Sequence, residues 1–263
     1  MSKKLGLALG SGGARGVAHV GFMLALEEAG IKPDYISGCS MGAVVGGCYA
    51  SGMTAKEMKK AVLSLRKRDL IDISPIPISR MAILRSKKIR DLLMSYIKVK
   101  NIEDFPIPFR CVATDLYSGK LHIFKDGEAA IAVQASSTVP SVFRPVKFED
   151  KLLVDGGVLM RLPVRVVKDM GADVVVAVDV LKNASQPVTK VDNILNMMLR
   201  VFDVMDANQS SLIKQMDGDI CDLLLEPEMQ GMSQYLMKDL DKAFDEGYAL
   251  GKDNIEKIKD LIK

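Results

Sequence analysis

The sequence predicts an α/β fold of three layers, with a mostly parallel central sheet between helices. Three observations predict it. Residues 174–180 form a Val-rich run interrupted only by Asp179, the composition of a strand buried on both faces. Leu5-Gly6-Leu7-Ala8-Leu9 is a second short apolar run, and it ends at a glycine-rich turn. Strand-like segments then alternate with segments of helical spacing, as in chains that lay down a parallel sheet covered on both sides.

The elements follow in order. Residues 14–29 keep helical spacing through Val17, Val20 and Leu24, and Gly30 stops the helix. Residues 34–37 make a second short strand. Residues 41–51 are small and apolar, suited to a helix packed tightly under the sheet. Residues 54–100 hold two basic helical segments. Between them, residues 70–78 form an apolar connection whose Pro75 and Pro77 forbid a regular helix or central strand. That connection suits a lid, and equally a segment folded over the core or buried in a dimer. Residues 109–114 and 121–124 read as strands around the Ser118-Gly119 turn. A brief strand at 152–154 leads into Asp155-Gly156-Gly157. The rest reads as helical, interrupted at 220–225. No repeat or linker divides the chain, so residues 1–263 are expected to form one domain, with a motif-bearing part about 4–179 and a helical part 190–263.

With 48% hydrophobic and 26% charged residues the composition is that of a globular protein, and a net charge of +3 is too small to argue for nucleic acid. The charge is unevenly placed. Residues 56–100 carry 13 Lys/Arg against 4 Asp/Glu, whereas residues 203–263 carry 14 Asp/Glu against 7 Lys/Arg. Such asymmetry fits a basic face for an anionic membrane surface, or two solvated helical faces of opposite sign. Cys39, Cys48, Cys111 and Cys221 form no metal-binding spacing, and His19 and His122 are the only imidazoles, so no metal site is expected. Scattered thiols suit a reducing compartment. Met1-Ser2-Lys3-Lys4 leads into only five mostly apolar residues, too short for a signal-peptide core. The expectation is a soluble cytoplasmic protein, with the inner face of a membrane as a peripheral docking place.

The strongest motif is Gly38-Cys39-Ser40-Met41-Gly42, a G-x-S-x-G pentapeptide between a strand and a helix. A sharp turn there pushes a serine hydroxyl out at the sheet's carboxyl edge, and small neighbours relieve the crowded backbone. A structural Gly/Ser turn before a buried helix would have the same composition. Gly10-Ser11-Gly12-Gly13-Ala14-Arg15-Gly16 is a second glycine-rich loop after a strand, able to aim several amides at a phosphate or an oxyanion. Its spacing departs by one from a dinucleotide fingerprint, and no Gly-Lys-Ser/Thr follows for a P-loop. Asp155-Gly156-Gly157 alone is a weak signal, commonly a plain turn.

In this order the three motifs resemble the patatin-like phospholipase family. Ala18-His19-Val20-Gly21, Ala113-Thr114-Asp115-Leu116 and Ala135-Ser136-Ser137-Thr138-Val139-Pro140 match as well, so the resemblance covers residues 4–179, roughly two thirds of the chain. The family's triple glycine appears here as Ser11-Gly12-Gly13. The resemblance implies a serine acyl hydrolase acting on lipid esters through a Ser–Asp dyad, Ser40 and Asp155, without histidine or cofactor. It implies an oxyanion hole from the Gly12 and Gly13 amides, with Ser11, Arg15 and Met41 supporting. The histidines agree independently. A typical α/β-hydrolase places its serine after several strands and its histidine near the chain's end, whereas nothing beyond His122 can serve here. His19, four residues after Arg15, suits a support for the glycine loop, and His122 a half-exposed strand position. Arg15 suits orienting the loop, contacting an anionic head group, or a plain helix-surface place with neither role, and Arg144 carries the same alternatives. The rival reading is a regulatory or scaffold protein that keeps the fold with little turnover. A lipid or ester is the expected partner, and an oligomer is compatible with the sequence.

Overall fold

A computed structural model describes residues 3–64, 82–84, 87–181, 191–216 and 219–263. The connection at 70–78 lies outside these residues. Ten strands are described: β1 (Leu5–Leu9), β2 (Tyr35–Gly38), β3 (Ala82–Leu84), β4 (Phe109–Asp115), β5 (Lys120–Phe124), β6 (Ser141–Phe143), β7 (Val146–Phe148), β8 (Lys151–Asp155), β9 (Val174–Val178) and β10 (Leu223–Leu225). The helices are α1 (Val17–Glu28), α2 (Met41–Ala50), α3 (Ala55–Ser64), α4 (Lys87–Tyr96), α5 (Ala129–Ser136), α6 (Val164–Lys168), α7 (Ile194–Met216) and α8 (Leu240–Ile262).

The main sheet runs β10-β9-β1-β2-β4-β8-β7, with β5 also on β4. From β10 to β4 the strands are parallel, and β8 and β5 run antiparallel to β4. Period-2 alternation sorts the strand side chains into two unequal layers. Leu5, Leu7, Leu9, Val174, Val176 and Val178 point into the large core beneath α1, α2 and α8. Ala8, Val175 and Ala177 face a thin layer closed by Val164 and Val167 of α6. Helices therefore cover both faces, and the layering is α/β/α.

Register explains how distant residues meet. Cys111 pairs with both Gly38 and Phe124, and Ala113 with both Asp155 and His122. A residue has one neighbour on each side, so β5 fills one edge of β4 and β2 and β8 share the other, end to end. Because β2 is parallel to β4 and β8 antiparallel, their carboxyl ends point at one another. Whatever follows β2 must face whatever ends β8.

Three expectations need correction. The first helix does not start at residue 14. Gly13–Gly16 form a 3-10 turn, and regular helix begins at Val17, because the turn folds back to aim the glycine loop. The stretch beyond β10 is not helical throughout, since residues 226–239 pass as irregular chain over the glycine loop before α8 begins. The strands β3, β6 and β7, which the sequence did not predict, are three residues each, too short for a period-2 signal.

Candidate functional site

Ser40 follows β2 and precedes α2, with φ 53° and ψ −121°. A non-glycine residue at positive φ stores strain, and such strain clusters at functional positions. The crowding that requires Gly42 is direct: a Cβ there would lie 2.1 Å from the carbonyl oxygen of Leu9. Ser40 and Asp155, the two ends brought together by the shared edge of β4, touch. Ser40 Oγ donates to Asp155 Oδ2 at 2.6 Å. The other carboxylate oxygen accepts from the Gly157 amide at 2.8 Å, and the Cys39 thiol approaches it at 3.8 Å. The Ser40 amide donates to Ser136 Oγ at 3.0 Å, so α5 steadies the turn from below.

Burial governs the acid–base character. Desolvation lifts the Asp155 carboxyl to about 6 against the hydrogen bonds from Ser40 and Gly157 that favour its ionised form. Cys39, desolvated and beside Asp155, is pushed well above the usual thiol range and remains a thiol.

The glycine loop lies across from the dyad. The Gly10 amide donates to Val178 O, Ser11 to Arg161 O, Ala14 to Gln234 O and Arg15 to Gly12 O. Among the described residues, the Gly12 and Gly13 amides have no acceptor outside the loop's own helical turn. The serine that replaces a glycine at position 11 therefore has its amide engaged in structure. Gly13 sits at φ 50°, and a Cβ on it would come 2.1 Å from the carbonyl oxygen of Gln234. His19 reaches Gly10 O through Nε2 at 2.9 Å and is fully buried, with desolvation holding its pKa down at about 4. It supports the loop and does not contact Ser40. Arg15 is buried too, donating through Nε at 2.9 Å to Met232 O. It ties the loop to residues 229–234 and is not placed on the surface for a head group. Met41, beside Ser40, lines the same opening, as does Ser11. Arg144 is exposed, and His122 is a half-buried strand residue against Phe124 and Phe148.

These groups open into a cavity of about 580 Å³ whose remaining wall is almost wholly apolar, with Val17, Val44, Leu93 and Phe143 among its lining. Sequence reasoning missed a second polar layer behind it. Arg161 forms a buried bidentate pair with Asp179, which anchors the loop amide of Ser11 through the Arg161 carbonyl. Gln209 of α7 donates to Gly157 O at 2.7 Å and accepts from the Arg161 amide. Asp206, one turn earlier on that helix, lines the cavity, and burial raises its pKa to about 7. A lone arginine inside the apolar run Val158-Leu159-Met160-Arg161-Leu162 was the signal for the first of these, since a charge there must find a buried partner. Nothing local marked Asp206 or Gln209. Among the described residues no group of three or more His, Cys, Asp or Glu side chains is placed to hold a metal, and no helix is long and apolar enough to cross a membrane.

Comparison with known proteins gives this arrangement its context. A family model described as patatin-like phospholipase matches residues 7–168. An uncharacterized NTE family protein of Mycobacterium tuberculosis is 39% identical over 212 residues, covering 77% of this chain and 59% of the relative. A protein named lysophospholipase from Scheffersomyces stipitis is 31% identical over 287 residues, covering 98% of this chain but 18% of the relative. Human patatin-like phospholipase domain-containing protein 6 is 32% identical over 183 residues, 67% of this chain and 13% of that protein. This chain thus spans only part of the length of these relatives. Among solved structures, VipD of Legionella pneumophila superposes with a TM-score of 0.65 at 16% identity, covering 99% of this chain and 67% of that one, a likeness of fold.

Proposed function

Because the chain belongs to the patatin-like phospholipase family, we propose that it is a serine acyl hydrolase that cleaves carboxylic esters of lipids. One observation carries the reading: the Ser40 hydroxyl lies 2.6 Å from a buried carboxylate, and both residues line a large apolar cavity. In the proposed mechanism, Ser40 Oγ attacks the ester carbonyl while its proton passes to Asp155 Oδ2. The tetrahedral oxyanion is held by the Gly12 and Gly13 amides. Asp155 returns the proton to the departing alkoxide, leaving an acyl-enzyme. Water, deprotonated by the same carboxylate, then releases the fatty acid and restores Ser40. An ordinary aspartate, near 3.9, is a feeble base for a hydroxyl. Raising it to about 6 brings it closer to working pH, and positioned bases of this kind contribute roughly 10²–10⁴ in rate. Each oxyanion donor adds roughly 10²–10³.

The apolar cavity suits an acyl chain, and the relative named lysophospholipase favours single-chain phospholipids as the first substrates to try. The proposed setting is cytoplasmic, with lipid as partner and no role for nucleic acid. Labelling with a fluorophosphonate, read by intact mass, tests the reading without knowledge of the natural substrate. One adduct is expected on wild type, none on Ser40→Ala, and a strongly slowed reaction on Asp155→Asn. A folded wild type that takes no adduct would instead favour the low-turnover regulatory or scaffold role.

A further inference from the structure

Helix α7 shows apolar side chains to solvent as well as to the interior. From residue 194 to 209 its exposed positions are Ile194, Asn196, Met197, Val201, Val204 and Asn208, none of them charged. Ile194 is 78% exposed and Met197, Val201 and Val204 about half exposed. Arg200, Asp203, Asp206 and Gln209 lie on the half-buried or buried side. A helix on the surface of a globular protein shows the reverse arrangement. Spacings of 3, 4 and 3 line the four apolar residues along one stripe, roughly 15 Å long at the helical rise.

The stripe shares a wall with the substrate cavity. Leu195, Leu199 and Phe202, on the other side of the same helix, line that cavity. Leu236 both lines the cavity and is 49% exposed. Helices α3 and α4 also line the cavity, and they expose Lys56, Lys60, Lys88 and Arg90 to solvent. A helix with an uncharged apolar stripe and two basic helices thus wall one cavity.

We propose that this face docks on an anionic phospholipid surface, the α7 stripe entering the head-group boundary while α3 and α4 meet the lipid phosphates. Two-fold pairing with a second copy is the rival occupant of an apolar stripe. It would bring one set of basic helices towards another, whereas an anionic bilayer satisfies both features. Leu236, exposed and yet part of the cavity lining, is the place where a chain would pass from such a surface into the cavity. The choice of occupant rests on the lipid-hydrolase reading, but binding is measured without turnover, so either can fail alone.

The experiment is co-sedimentation of Ser40→Ala protein with vesicles of phosphatidylcholine, alone or mixed with phosphatidylglycerol. Binding is expected with the mixed vesicles, weaker on neutral ones and weakened by salt. Adding Met197→Glu and Val201→Glu is expected to lower it by about tenfold or more. The same two substitutions with Ser40 intact should leave hydrolysis of a soluble short-chain ester unchanged. No binding by the Ser40→Ala parent, or binding unaffected by the two glutamates, overturns the proposal. If the glutamates also abolish soluble-ester hydrolysis, Lys88→Glu/Arg90→Glu decides: reduced vesicle binding upholds the proposal and unchanged binding overturns it. A wild-type dimer that the glutamates split, with vesicle binding intact, assigns the stripe to a second copy instead.

Discussion

Asp155 pays for its proposed role as base in stability. Its carboxyl is raised from 3.8 to about 6 in the folded protein, so between those values the native state holds a proton that the unfolded chain has lost. Stability therefore falls as pH rises through this window, by up to about 3 kcal/mol. Asp155→Asn is expected to raise the melting temperature at pH 7 and to leave it unchanged near pH 3.5, while turnover drops by about 10²–10⁴. Calorimetry at both pH values, alongside an esterase assay, checks the pairing of lost rate with gained stability. The rate of the wild type should rise with pH along a limb near 6, where Asp155 ionises. At the same scale, Arg161→Met leaves Asp179 as an uncompensated buried charge. It should cost about 3–5 kcal/mol and loosen the glycine loop, read by denaturant unfolding.

Elements hold the site because some approach each other more closely than side chains allow. Helix α8, for which the sequence offered no motif, packs along α1, and a Cβ on Gly247 would lie 1.9 Å from the carbonyl oxygen of Ala18. Next to Ala18 in α1, His19 grips the Gly10 carbonyl, so this contact bears on the loop's position. Gly247→Ala is expected to push the two helices apart. The melting temperature should fall by several degrees and the fluorophosphonate reaction should slow, although the residue is remote from Ser40. A change in neither would show that α1 can shift without moving the loop. The irregular segment 226–239 works similarly, since Gln234 and Met232 supply the carbonyls that hold Ala14 and Arg15. Neither contact had a local signature, because a backbone carbonyl looks alike in every residue.

The whole molecule adds a term that no single element sets. His19 is neutral in the core, its pKa depressed from 6.5 to about 4. The unfolded chain takes up a proton across that interval while the native state does not, so its share of stability, about 3 kcal/mol, is lost as pH falls from 6.5 towards 4. His19→Gln should therefore show a smaller acid-induced fall in melting temperature than wild type, whatever its stability at pH 8. The main strands, the α/β layering and the candidate residues Ser40, Asp155, Gly12 and Gly13 were legible in the sequence. Buried strands advertise themselves by apolar runs, and crowded turns by small residues at fixed offsets. Asp155-Gly156-Gly157 acquired meaning only through its company, because one aspartate before two glycines carries no address. Tertiary structure alone decided that β2 and β8 meet end to end on β4, and that Arg15 turns inward. It also decided that Asp206 of α7 faces the cavity and Gln209 the polar layer behind it, while that helix shows apolar residues to solvent. Sequence periodicity reports which residues share a face, and only packing decides which way that face is turned.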